Sequence, residues 1–403
     1  MPKSLWDLFT NRLTKTQTMI LQTQTFDQEK PGPLLRDVQT LISAIGDGIL
    51  TTSEYFVLPQ GRLDEMNRQL SEPLAHRLKR PQMRSFPTLM GLFLLLRASG
   101  LAIGETKPKR MVRIDPDMLE QWQSLNAAEQ YLNLLNCWFS TANWDSVGED
   151  RSRSMGMNQE ILAVYRRLPD VLSHLKAKQL GMFHGTANFV TLGLLHQFGW
   201  VRLKYDSKAD EGRAAVIESF ERLPFGDTML AATCGIEHLH NSTLAEFRAT
   251  LLPYFLDWKR SLELPKAEFK TGEYTLKLSW MDVWRRLVAP AETSLEQVAD
   301  ALLDAFKFDH DHMYQFEFRD KQGVQTQVDC PMYREGTYFS DEMRLGDLPL
   351  VEGESMKFLY DFGYDWNFTI LIEQISDKPS RRSEPKVTGR SGKAPPQYEN
   401  HWD

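Results

Sequence analysis

From about Glu268 onward the spacing of apolar residues changes from three-and-four to two, and no other feature of this chain constrains its fold as strongly. Before the switch the periodic stretches are helical. "LLRDVQTLISAIG" (34–46) and "TLMGLFLLLRASG" (88–100) both stop at a glycine, as helix C-termini do. "DPDMLEQWQSLNAAEQYLNLLNCWF" (115–139) opens on an Asp-Pro start signal. "STLAEFRATLLPYFLDWKR" (242–260) opens on Ser-Thr, and Pro253 predicts a kink in it. After the switch, "EYTLKLSW" (273–280) alternates as a strand does, and "MYQFEFRDKQGVQTQV" (313–328) reads as a hairpin turning at Asp320–Gly323. Between them "SLEQVADALLDAF" (294–306) returns to helical period behind a capping box of Ser294 and Gln297. Residues 356–375 close the pattern with two more strands. The fold class this predicts is α+β. It comprises a mainly helical region over 1–265 and a compact module with an antiparallel sheet over 270–376, with the boundary between Ser261 and Gly272. Residues 377–403, rich in Ser, Pro, Gly and charge, predict a loop-rich tail.

Within the helical region one local order occurs twice. "LLLRASGLAIGETKPKRMVRI" runs helix, Gly100, short apolar piece, basic turn and strand, while "LGLLHQFGWVRLKYD" (192–206) runs helix, Gly199 and strand. A helix followed by a tight turn and a β-hairpin has winged-helix character. The first such unit is expected near 60–115, with its wing around Lys107–Arg110, and a second near 185–225.

The net charge of −7 is spread unevenly over the 403 residues. Arg77 to Arg113 holds nine Lys or Arg and one acid, whereas Ala301 to Asp377 holds six and sixteen. The basic segment offers Arg77, Lys79, Arg80, Arg84, Lys107, Lys109, Arg110 and Arg113 as phosphate contacts for a nucleic acid. The plainer alternatives are a solvated face or a dock for the acidic module. The expected partner is therefore a protein or a nucleic acid. Cys137, Cys234 and Cys330 lie about a hundred residues apart, which suits neither a metal knuckle nor a disulfide framework and predicts a reducing, cytoplasmic setting. The opening "MPKSLWDLFTNRLTKTQTMI" has no continuous apolar core, so no secretory leader is expected. The most apolar run, Leu89 to Ile103, is interrupted by Arg97 and is too short to span a bilayer, so no membrane partner is expected.

None of the common nucleophile, zinc-protease or phosphate-loop motifs is present. "DHDH" (309–312) is the most metal-like run. On a strand His310 and His312 share one face and the aspartates the other, so the run cannot present all four to one ion and needs help from elsewhere, for which Asp361 is the first choice. In "YDFGYDW" (360–366) the same alternation places Tyr360, Phe362, Tyr364 and Trp366 on one buried face. Asp361 and Asp365 then lie on the other face, where Arg285 or Arg286 could pair with them. His240 in "CGIEHLH" (234–240) reads as a polar helix edge.

Several of these pieces occur together and in order: "VWRRLVAP" (283–290), a capped helix, "HMYQF" (312–316), "EMRLGDL" (342–348), and "YDFGYDW" with "LIE" (371–373). Over about residues 272 to 376 this order resembles the plasmid pRiA4b ORF-3-like family, and "GKAPPQY" (392–398) is similar to that family's Pro-Pro-Glu-Asp segment. The resemblance implies a small α+β module found in bacteria, archaea and mobile elements. Three departures stand out against it. Tyr364 replaces an acid, Phe368 a histidine, and Gln397–Tyr398 an acidic pair, while His312, Asp361, Asp365 and Trp366 remain. With those groups missing, no metal and no cofactor is expected. The function expected is that of a non-enzymatic interaction protein with weak nucleic-acid contact through the basic segment. The alternative is a metal-dependent enzyme centred on His312, Asp361 and Asp365.

Overall fold

The computed structural model describes residues 13–75, 78–149, 157–168, 171–173, 186–205, 217–233, 244–264, 268–332, 334–378, 380 and 382–398. The chain divides into two compact units, the first of residues 1–105 and 109–264, the second of residues 106–108 and 265–403, and the fold class is α+β. Among the described residues no helix is long and apolar enough to cross a membrane.

The first unit repeats one arrangement. The helix Leu34–Ile45 leads to β1 (Ile49–Leu50), then to the helices Gln60–Gln69 and Pro87–Ala98, then to a hairpin of β2 (Ala102–Glu105) and β3 (Met111–Ile114). These strands form an antiparallel sheet in the order β1-β3-β2. Further on, the helix Met157–Arg167 leads to β4 (Val171–Ser173), the helix Thr186–Gln197, and a hairpin of β5 (Val201–Tyr205) and β6 (Ile217–Arg222), with the order β4-β6-β5. Gly100 and Gly199 turn the chain out of the two long helices at φ +72° and +67°, a region that side chains with a Cβ rarely enter.

The helix Pro87–Ala98 is the centre of this unit. Every one of its residues except Thr88 is buried, as a helix that is apolar all round must be. It packs on Thr186–Gln197 so closely that a β carbon at Gly91 would lie 2.6 Å from Leu194 Cγ. Other helices surround this pair and depart from the sequence reading in two places. Residues 115–139 form two helices, Pro116–Ser124 and Ala127–Ser140, because Asn126 caps the second by accepting from Glu129 N. The stretch read as one kinked helix over 242–260 ends at Leu251, two residues ahead of Pro253, whose ring excludes a continuing turn. Cys137 is buried and free, and Cys234 lies outside the described residues.

The second unit is built on one antiparallel sheet. β7 (Glu273–Trp280) and β8 (Val283–Pro290) form a hairpin, and the helix Leu295–Phe306 follows behind its Ser294–Gln297 capping box. A second hairpin of β9 (Tyr314–Arg319) and β10 (Gln325–Asp329) comes next, with Gly323 N donating to Asp320 O across the turn. Then come β11 (Ser355–Tyr360), β12 (Trp366–Ser376) and β13 (Lys386–Ser391), giving the order β10-β9-β11-β12-β7-β8-β13. Leu295, Val298, Leu302 and Phe306 of the helix join Leu276, Leu278, Phe316, Phe358, Phe368 and Ile370 of the strands in one core. β13 corrects the expectation of a loop-rich tail. Its composition is polar because it is an edge strand, mostly exposed, that needs only the backbone of β8 as a partner.

Candidate functional site

The site is assembled where the sheet strands end. Lys307 leaves the helix Leu295–Phe306 in the left-handed region, at φ +63°. Residues 308–313 then bend toward β9 without forming a strand. Alternation therefore does not govern "DHDH", and this corrects the expectation that the run must split its side chains between two faces. His310 turns back on the helix, with Nδ1 3.1 Å from Asp300 Oδ1 and Nε2 3.1 Å from Asp304 Oδ1. Asp309, Asp311 and His312 converge, and one ligand atom from each lies within 4.8 Å of the others.

The second contributor is the turn between β11 and β12. Tyr360 pairs with Trp366, so residues 361–365 are the loop of a hairpin. Asp361 and Asp365 take φ +54° and +58°, which a short carboxylate that bonds its own backbone tolerates better than most side chains. Asp361 Oδ1 accepts from Gly363 N at 2.9 Å and Tyr364 N at 3.3 Å. Asp361 is only 6% exposed. Its Oδ2 receives no hydrogen bond and lies 3.5 Å from His312 Nε2. Asp365 does not join the cluster. It is exposed, and its carboxylate accepts from Asn367 Nδ2 at 2.9 Å. The aromatic face expected over 360–366 is also corrected. Tyr360 is buried and Trp366 half-buried, but Phe362 and Tyr364 sit on the turn and are exposed. Neither aspartate meets the "WRR" strand: Arg286 pairs with Glu373, and Arg285 donates to backbone carbonyls of Trp284, Ala305, Ser391 and Gly392.

The third contributor is the segment after β13. Gln397 Nε2 and Tyr398 OH donate to the Asp309 carboxylate at 2.5 and 2.7 Å, and Tyr360 OH adds a third bond at 2.9 Å. Tyr398 OH also lies 3.1 Å from His312 Nε2. Burial pushes the Asp309 carboxyl up, but the bonds from Gln397, Asp311, Tyr398 and Tyr360 outweigh it and hold the group below the usual carboxylate range. Its hydrogen bond to Asp309 raises Asp311 in turn. Burial, and then its hydrogen bond to Asp309, raises Tyr360. Sequence reasoning treats Gln397 and Tyr398 as departures from a pattern. In the structure they orient Asp309, and the similarity of "GKAPPQY" to a family segment was the signal that pointed there.

The basic candidates are placed less favourably. Arg77 lies outside the described residues, as does His240. Lys79, Arg80, Lys107 and Lys109 are exposed, and exposed Arg84 is 4.0 Å from Glu149. Arg110 lies over the Phe56 ring at 5.1 Å. Arg113 pairs with Glu105 at 2.7 Å, which raises its already high pKa.

A seven-stranded antiparallel sheet with one packed helix defines the second unit as a compact α+β module. Residues 273–398 match the model of the plasmid pRiA4b ORF-3-like protein family, the family that the motifs of the same segment resemble, and the match reaches Gln397 and Tyr398. The uncharacterized protein y4hQ of Sinorhizobium fredii (strain NBRC 101917 / NGR234) is 30% identical over 119 residues, 28% of this chain, and the match spans 58% of that relative. The crystal structure of the protein of unknown function MM3350 from Methanosarcina mazei Go1 is 22% identical, with 32% of this chain and 73% of that one covered and a TM-score of 0.28.

Proposed function

We propose that the protein is an interaction protein whose first unit carries two winged-helix halves and contacts nucleic acid weakly, through phosphates alone. The observation that carries this reading is the burial of the helix Pro87–Ala98. In a helix-turn-helix arrangement the helix at this place in the order reads base edges from the major groove. Here it is covered on all sides and packs on Thr186–Gln197, so it has no face to offer a groove. The available cations are those of the flanking loops. Lys79, Arg80 and Lys109 are exposed and have no ion-pair partner among the described residues. Such groups neutralise phosphates and release counterions without selecting a sequence.

Fluorescence anisotropy of the full chain with a generic duplex at two salt concentrations tests the reading. Expected is a Kd on the order of 10⁻⁴ to 10⁻⁶ M that weakens steeply with salt, and a loss of most of the binding in the triple variant Lys79→Ala, Arg80→Ala, Lys109→Ala. An absence of binding at low salt, or a marked preference for one sequence, sinks it.

A further inference from the structure

We propose that the second unit holds a divalent first-row transition metal, with zinc the closest fit, between His312, Asp361, Asp311 and Asp309. The inference concerns a different surface from the nucleic-acid reading and does not depend on it. It starts from Asp361. A carboxylate oxygen that is buried and receives no hydrogen bond is costly, and native structures rarely leave one without cause. The polar atom that Asp361 Oδ2 approaches is His312 Nε2, at 3.5 Å, a ring nitrogen that also lies 3.3 Å from Asp311 Oδ1. Ligands held about 2.0–2.1 Å from one tetrahedral ion stand roughly 3.3 Å apart. Both spacings are those of two ligands to one centre, and a cation held by Asp309, Asp311 and His312 would give Asp361 Oδ2, which among the described residues has only the 3.5 Å ion pair with His312, a direct bond.

The surroundings suit such an ion. The Asp309 carboxylate is oriented by Gln397, Tyr398 and Tyr360, and Asp361 by the N–H groups of Gly363 and Tyr364. Outer hydrogen bonds of this kind set the direction of metal-binding side chains. One imidazole with carboxylates favours zinc or manganese over the hard, all-oxygen ions. The sequence expectation of no metal rested on Tyr364, Phe368 and Gln397. The structure puts Tyr364 on the exposed turn, Phe368 in the core beside Phe306, and Gln397 behind Asp309, where it orients that carboxylate, so none of the three stands where one of the four proposed ligands does.

The test is calorimetric titration of ZnCl₂ into the full chain, prepared without a histidine tag and stripped by chelation, with MnCl₂ and CaCl₂ in parallel. Expected is one equivalent of tight zinc, weaker manganese and little calcium. Asp361→Asn and His312→Gln should each weaken zinc binding about tenfold or more, while His310→Gln, at the neighbouring Asp300–Asp304 pair, leaves it unchanged. Circular dichroism of the metal-free variants separates lost ligation from lost folding. Visible absorption of the Co²⁺ form of the unaltered chain gives a readout that needs no variant, and a tetrahedral band is expected. No binding to the unaltered chain, full binding in both Asp361→Asn and His312→Gln, loss of binding in His310→Gln, or no cobalt band would each overturn the proposal.

Discussion

Truncating the aromatic residues of 360–368 one at a time distinguishes a hairpin from an extended strand. In an extended strand Tyr360, Phe362, Tyr364 and Trp366 share one buried face, so their losses would be similar. In the hairpin they differ. Phe368 is 1% exposed and its ring lies 4.9 Å from Phe306, 5.9 Å from Phe308 and 6.1 Å from Phe358. Removing so enclosed a ring costs about 3–5 kcal/mol. Trp366 is half-buried, with contacts to Phe308 at 4.8 Å and Trp280 at 5.2 Å, so Trp366→Ala should cost roughly half as much. Phe362 is 49% exposed on the turn, and Phe362→Ala should stay within about 0.5 kcal/mol. Because a two-unit chain does not unfold in one step, the assay is amide hydrogen exchange in β11 and β12, which reports on the second unit alone. Phe368→Ala should speed exchange there from roughly a hundred-fold to several thousand-fold, and Phe362→Ala less than about threefold. Equal acceleration by Phe362→Ala and Phe368→Ala would refute the hairpin and restore the single buried face.

Two further outcomes are expected in the first unit. Gly91→Leu forces side-chain atoms against Leu194, whose Cγ would already lie 2.6 Å from a β carbon there; the loss should be about 1–3 kcal/mol or more in thermal unfolding, and a melting temperature at or above that of the unaltered chain would count against the tight helix pair. The buried Glu129 carboxylate accepts from Asn126 N and from Arg260 N and Nη2; burial raises its pKa, but these bonds prevail and hold it below its ordinary 4.5. A folded-state pKa below the unfolded value contributes stability above about pH 4.5, and that contribution fades as the pH falls through the lowered value. Urea midpoints at pH 7 and pH 3 should therefore fall further in the unaltered chain than in Glu129→Gln, and equal falls would remove Glu129 from the acid response.

The parts of the fold that were legible in the sequence are those where one period persists. The Ser294–Gln297 box, the hairpin at Asp320–Gly323 and the two glycine-terminated helices all formed as their residues predict. The site was legible only as a set of names. Its residues lie at 309–312, 361 and 397–398, in a bend, a tight turn and a loop, and period-two reasoning has no purchase on segments that are not extended. In the sequence Asp365 groups with Asp361 because the two flank Gly363. The turn separates them, because each aspartate enters the left-handed region and the chain reverses between them.

The first unit shows the opposite case, in which the sequence held the answer and two of its signals conflicted. If the order of helix, glycine and hairpin were that of a DNA-reading winged helix, Pro87–Ala98 would need a polar face to meet a groove. The same stretch, "PTLMGLFLLLRA", has no polar face, and its lone charge, Arg97, is fully buried. A helix without a wet face can only be a core element. Composition therefore overrules order, and Gly91 explains how the burial is achieved, by letting Thr186–Gln197 approach where another side chain would stand. An internally paired scaffold follows from that one helix. It leaves Lys79, Arg80 and Lys109 exposed on loops of the first unit, while the second unit gathers its most chemically capable residues where its strands end.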